Sequence, residues 1–177
     1  MDLRSTILGL LNWKPSSGYD LKRLISDSEV FYWSGNNNQI YKSLIELEKD
    51  GMVTYQLQEG LPARKIYAIT EKGKSALYQS LLETPQIPEI RKGFLIQLGW
   101  SDMLSDEQIL DLLEKYEDEI ASRLRMQQAL AARPASSPAR SKREKYLWSC
   151  IGENLINTLQ TELDWVRQTK MGLREVG

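Results

Sequence analysis

Apolar residues recur along this chain in two rhythms. Leu3, Ile7, Leu10 and Leu11 stand three and four apart and predict a helix over Leu3–Asn12. It ends before Lys14-Pro15, because proline disfavours helix in the residue that precedes it. Ser17 opens a second helix as N-cap, with Asp20 in a capping-box position and Leu21, Leu24 and Ile25 as the buried stripe. The aromatics Phe31, Tyr32 and Trp33 follow, and then Ser34-Gly35-Asn36-Asn37-Asn38, a turn ending in a cap. A third helix is expected from Asn38 to Asp50, burying Ile40, Leu44 and Leu47 and stopping at Gly51. There the rhythm changes to alternation. Val53, Tyr55 and Leu57, then Tyr67 and Ile69, predict two strands joined through Glu59-Gly60-Leu61-Pro62, a hairpin. Thr70 caps a further helix that ends before Thr84-Pro85.

The linker TPQIPE starts a segment whose pattern is helical almost throughout. A short helix is expected at Arg91–Gly99. Ser105 with Gln108 caps a long one carrying Ile109, Leu112, Leu113, Tyr116, Ile120 and Leu124. Residues Ala131–Ser141, rich in proline, serine and alanine, break the pattern. A final helix over Lys142–Glu175 repeats Ile156, Leu159, Leu163, Val166 and Leu173, with Lys170 interrupting. The predicted fold is mainly α with a small β-hairpin: a winged helix-turn-helix domain at 1–84 and a helical dimerisation arm at 85–177. Two long helices after a complete small domain have little core of their own. The Ile156, Leu159, Leu163, Val166 and Leu173 stripe is therefore expected to be covered by a second subunit, as a homodimer interface.

Composition narrows the chemistry. Of the 177 residues 41% are hydrophobic and 27% charged, the proportions of a soluble globular protein, and no apolar run is long enough to span a membrane. The expected location is the cytoplasm. Histidine is absent and Cys150 is the single cysteine, which removes Ser-His-Asp and Cys-His catalysis, histidine metal sites and thiolate clusters. No enzymatic activity, metal or cofactor is expected. Glu114, Glu117, Asp118 and Glu119 read as a solvated helix face, and Cys150, within LWSCIGENLI, as a buried thiol.

A net charge of −1 means that binding to nucleic acid must rest on local arrangement. Asn37, Asn38, Gln39 and Lys42 stand at the start of the third helix. Asparagine and glutamine there either cap the helix or pair with adenine edges in the major groove. Arg64 and Lys65 begin the returning strand, where a hairpin tip reaches sugar-phosphate backbone. Tyr19, Lys22 and Tyr41 are further phosphate donors, with packing between helices the alternative for Tyr41.

Four motifs occur in order: SGYDLKRLI, the aromatic FYW, NQIYKSLIELEKDGMV and ARKIYAITEKGKSALYQSL. Together they resemble the PadR family of transcriptional regulators over about the first 83 residues. The second half is similar to the family's branch with a long helical C-terminal domain, which includes phenolic-acid response regulators and a virulence-gene activator. Glu162-Leu163-Asp164-Trp165-Val166 matches the branch's tryptophan followed by an aliphatic residue. Pro62 is followed by Ala63 here, whereas the family commonly has proline next to the Arg-Lys pair.

The resemblance implies a homodimeric regulator, repressor or activator, on a pseudo-palindromic double-stranded DNA operator. An alternative is a sensor for a small phenolic or aromatic effector, with Trp100, Trp148 and Trp165 as stacking surfaces. Core packing is the competing explanation for each of these tryptophans. A winged-helix protein-interaction adaptor that does not bind DNA is the third alternative.

Overall fold

The computed structural model describes all residues except 1, 27, 29–30, 32–37, 61–62, 86–91, 133–140 and 177. It divides into two compact units, Met1–Ile87 and Pro88–Gly177. The expected division at 84/85 falls three residues before the observed one.

In the first unit, α1 (Leu3–Trp13) starts at Asp2, whose side chain accepts from the Ser5 backbone N–H, and gives way to extended backbone at Lys14. Residues Ser16–Ser17 form a two-residue strand, β1, which leads directly into α2 (Gly18–Ser26). Ser17 Oγ accepts from the Asp20 N–H at 3.1 Å and donates to the Asp20 carboxylate at 2.7 Å, so strand and helix cap share one residue. Helix α3 spans Asn38–Lys49, and Gly51 after it has φ +69°, the left-handed backbone that glycine adopts without steric cost. The wing is β2 (Val53–Gln58) and β3 (Arg64–Ile69), paired antiparallel from Val53↔Ile69 to Gln58↔Arg64. Strand β1 pairs with the other edge of β3, in the order β1-β3-β2. Its two serines carry no alternation, and the sequence pattern gave no sign of it.

Helix α4 (Glu71–Leu82) starts at Thr70, whose Oγ1 accepts from the Gly73 N–H. The core gathers Ile7, Leu10 and Leu11 of α1, Leu21 and Ile25 of α2, Ile40, Leu44 and Leu47 of α3, Val53, Tyr67 and Leu77. At about 25 cal/mol per Å2 of apolar area, each fully buried aliphatic contributes roughly 1.5–3 kcal/mol, so α3 is held by its stripe rather than by propensity. Phe31 packs against this core edge-on to Trp13, with ring centroids 5.9 Å apart, while Tyr32 and Trp33 lie outside the described residues.

In the second unit, α5 (Gly93–Gly99) begins two residues later than expected and is followed by a 3-10 turn at Ser101–Met103. Helix α6 (Asp106–Ala131) carries the predicted capping box of Ser105 and Gln108 in full, and α7 runs from Lys142 to Val176. The two long helices pack on each other. Leu163 is buried against Ile120 and Leu124 of α6, Ile156 and Leu159 pack against the same cluster, and Val166 has no exposed surface. Within one chain Leu163 and Val166 are buried, while Ile156, Leu159 and Leu173 are half-buried.

Glu117 is likewise not part of a solvated face. It accepts from Arg167 Nε at 2.8 Å and Lys170 Nζ at 2.9 Å, and these two cations hold its carboxyl below the usual range. Lys170 interrupts the apolar stripe because it is one half of this ion pair. Cys150 is half-buried rather than enclosed. No helix among the described residues is long and apolar enough to cross a membrane.

Candidate nucleic-acid interface

Helix α3 buries Ile40, Ser43, Leu44 and Leu47, and the opposite surface faces water. Asn38, Gln39, Tyr41 and Lys42 are exposed at its N-terminal end, the end by which a recognition helix enters the major groove. Asn37 lies outside the described residues. Tyr41 is 43% exposed and its ring rests over Gly18, where an added Cβ would stand 2.7 Å from the ring, so Tyr41 packs between helices while part of it stays open to water. Tyr19 is exposed at the start of α2, and Lys22, one turn on, is half-buried.

On the wing, Arg64 and Lys65 are exposed at the start of β3. The Lys65 ammonium lies 3.8 Å from the centroid of the Tyr55 ring, and the Tyr55 side chain beside it holds its pKa above the ordinary lysine value. Lys65 is thus a cation fixed on the sheet surface. Pro62, before Ala63, is outside the described residues.

The sequence pattern gave no sign of Arg4. From α1 it donates to the Asp50 carboxylate just past the end of α3 at 2.5 Å, and its other nitrogen lies 3.7 Å from Glu46. This clamp ties the C-terminal half of α3 to α1, and it lowers the Asp50 pKa. Arg4, Gln39, Lys42 and Glu46 line an open cleft of about 250 Å3 between the two helices. Its acidic partners are more than 40 residues away, beyond the reach of any local motif.

Of the tryptophans expected as stacking surfaces, Trp100 is 75% exposed, which rules out core packing for it, and Trp148 is half-buried. Trp165 stands edge-on to Phe94, whose ring stacks on Tyr116 with centroids 3.6 Å apart. Tyr116 donates to Glu162 at 2.8 Å, and Lys92 is paired with the same carboxylate. Burial, then the Glu162 hydrogen bond, pushes the Tyr116 hydroxyl up to about 12.

Three helices followed by a hairpin wing, the third of them exposing amides and a lysine at its leading end, define a winged helix-turn-helix protein of the type that reads duplex DNA. Residues 7–79 match the PadR-like transcriptional regulator family, and residues 90–174 match the virulence activator alpha C-terminal family. By these two matches, which together run through most of the chain, it is similar to the PadR-like transcriptional regulators. It is 30% identical over 115 residues to the negative transcriptional regulator PadR of Bacillus subtilis, spanning 63% of each chain. It is also 36% identical over 85 residues to a probable transcriptional regulator of Mycobacterium tuberculosis, covering 47% of this chain and 45% of that one. The chain therefore spans less than two thirds of either curated relative.

In structure it is similar to B. subtilis PadR in complex with operator DNA, with TM-score 0.82 and 23% identity over 97% of this chain and 98% of that one. The same protein in complex with p-coumaric acid gives TM-score 0.77 at 22% identity, over 97% and 95%. The Vibrio cholerae virulence activator AphA gives TM-score 0.74 at 23% identity, over 99% and 100%.

Proposed function

We propose that the protein is a cytoplasmic transcriptional regulator that binds a pseudo-palindromic DNA operator as a homodimer. The observation that carries this reading is the exposed leading end of α3, where Asn38, Gln39, Tyr41 and Lys42 stand clear of the core that Ile40, Leu44 and Leu47 anchor. Helix α3 occupies the major groove, with Gln39 and Asn38 at base edges, while Lys42, Tyr19 and Lys22 meet phosphates. Arg64 and Lys65 on the wing meet the flanking backbone. The B. subtilis relative is a negative regulator, and repression is the sign we propose.

Self-association is assigned to apolar surface left open on the second unit, including the half-buried Ile156, Leu159 and Leu173 of α7. Met126 and Leu130 near the end of α6 and Tyr146 and Leu147 near the start of α7 are exposed by 40% to 67%. Half-sites one helical turn apart, about 34 Å, are the spacing expected of such a dimer.

A second reading, that a small aromatic effector modulates DNA binding, is favoured by the aromatic group of Phe94, Tyr116 and Trp165. A relative was crystallised with p-coumaric acid. Titrating p-coumaric acid into the DNA complex tests this, and unchanged affinity at millimolar acid removes it.

The test of the main reading is selection of bound duplexes from a random pool by the full chain. The selected duplex is then measured for saturable binding, and sedimentation gives the stoichiometry. The reading expects two-fold-related half-sites and two chains per duplex. Absence of saturable binding would return the protein to the adaptor class. The near balance of charge in the first unit, ten Lys and Arg against ten Asp and Glu in residues 1–87, makes that a real alternative.

A further inference from the structure

Around α3 the stripe turned directly away from the core is Asn38, Lys42, Ile45 and Lys49, at spacings of four, three and four. Three of these are polar. Ile45 is 63% exposed, in the middle of a helix whose other aliphatics, Ile40, Leu44 and Leu47, are at most 2% exposed. It contributes little to the fold: a β-branched residue lowers helix propensity relative to alanine, and its apolar surface stays in water. The surroundings suit a polyanion. Lys42 and Lys49 flank Ile45 on the same face; Glu46, 4.0 Å from Lys42, and Asp50 lie on the neighbouring face, where Arg4 engages both. Ile45 lies seven residues beyond Asn38, about 10.5 Å along the axis, within the two turns that a groove-bound helix presents to bases.

We propose that Ile45 is a specificity-determining residue that reads a thymine methyl group in each operator half-site. This rests on the DNA-reading role of α3 proposed above. The C5-methyl of thymine is the one apolar feature on the major-groove edges, and an aliphatic side chain flanked by cations is the complement to a methyl between phosphate rows. Burying one methyl corresponds to about fourfold in affinity.

The test uses the full chain and its selected operator, with thymines replaced one at a time by deoxyuridine, which removes only the methyl. Wild type should lose about fourfold at one thymine position per half-site. Ile45→Ala, which removes the contact from both half-sites at once, should bind the unmodified operator about as weakly as wild type binds a duplex carrying deoxyuridine at that position in both half-sites, and should lose nothing further there. Ile45→Val, which keeps a branched aliphatic, should retain part of the penalty, and circular dichroism melts of both variants should match wild type because the side chain is exposed. If wild type binds a selected operator but no deoxyuridine position is penalised, or if Ile45→Ala keeps every penalty, the assignment to Ile45 is wrong while the DNA-reading role stands. If wild type selects no sequence at all, both fail.

Discussion

Glu117 offers a quantitative test of how the second unit is held together. Its side chain is 20% exposed and receives two charge-assisted hydrogen bonds from α7, one from Arg167, 52% exposed, and one from Lys170, 17% exposed. A pair as open to solvent as Arg167's is worth up to about 1 kcal/mol. The Lys170 pair is closer to the range of about 1.5–3 kcal/mol for hydrogen bonds to charged groups, reduced because neither partner is fully desolvated. Glu117→Ala should therefore cost about 2 kcal/mol in urea unfolding at pH 7, with Glu117→Gln losing somewhat less because its amide oxygen still accepts from one cation.

The pH dependence fixes the sign. The folded pKa of Glu117 lies below its unfolded value, so its contribution is complete above the ordinary carboxylate range and is lost as pH falls through the lowered folded value. The gap between wild type and Glu117→Ala should be constant from pH 7 to about pH 5 and should narrow below that. A gap smaller than about 0.5 kcal/mol at pH 7, or one that does not change in acid, would refute the claim that this carboxylate joins α6 to α7.

Leu163→Ala should destabilise the second unit by about 2–5 kcal/mol, since its neighbours Ile120 and Leu124 lie in the same chain; a loss that disappears when unfolding is measured at high protein concentration would instead place its cover in a second subunit. Gly73→Ala should destabilise the first unit by more than about 2 kcal/mol, because the new Cβ would stand 2.1 Å from the Met52 carbonyl oxygen, and an unchanged thermal midpoint would contradict that close approach. Thr70→Ala should cost about 1 kcal/mol by leaving the Gly73 N–H without its cap, measured in the same unfolding series, where Thr70→Ser, which keeps the hydroxyl, should cost little.

Local signals in the sequence were the ones that carried through. Ser17 with Asp20, Thr70 before α4, Gly51 after α3, and Ser105 with Gln108 each act within one helical turn, so the residues that define a cap are neighbours in the chain. Partners distant in sequence were not legible. Glu117 looked solvated because its cations are 50 and 53 residues away. Arg4 carried no signal because its acidic partners lie beyond α2. The α7 stripe showed correctly that it needs apolar cover, but periodicity cannot say whether that cover is a neighbouring helix or a second chain. On α3, spacing separated the buried stripe from the exposed one. Its polar end is legible because amides read base edges, whereas Ile45 carries no signal because an exposed aliphatic is ordinary on any surface.

The central claim is that α3 reads bases while the wing holds backbone, and the most direct measurement is a salt titration of binding to the selected operator and to a scrambled duplex, with wild type, Gln39→Ala and Lys65→Ala in parallel. Gln39→Ala should lose about 1–3 kcal/mol on the operator and little on the scrambled duplex, with the salt slope unchanged. Lys65→Ala should weaken both duplexes alike and reduce the slope by roughly one for each phosphate it no longer neutralises. Equal, sequence-independent losses from both variants would remove Gln39 from base reading, and no loss from either would contradict the account of this face as a DNA-binding surface.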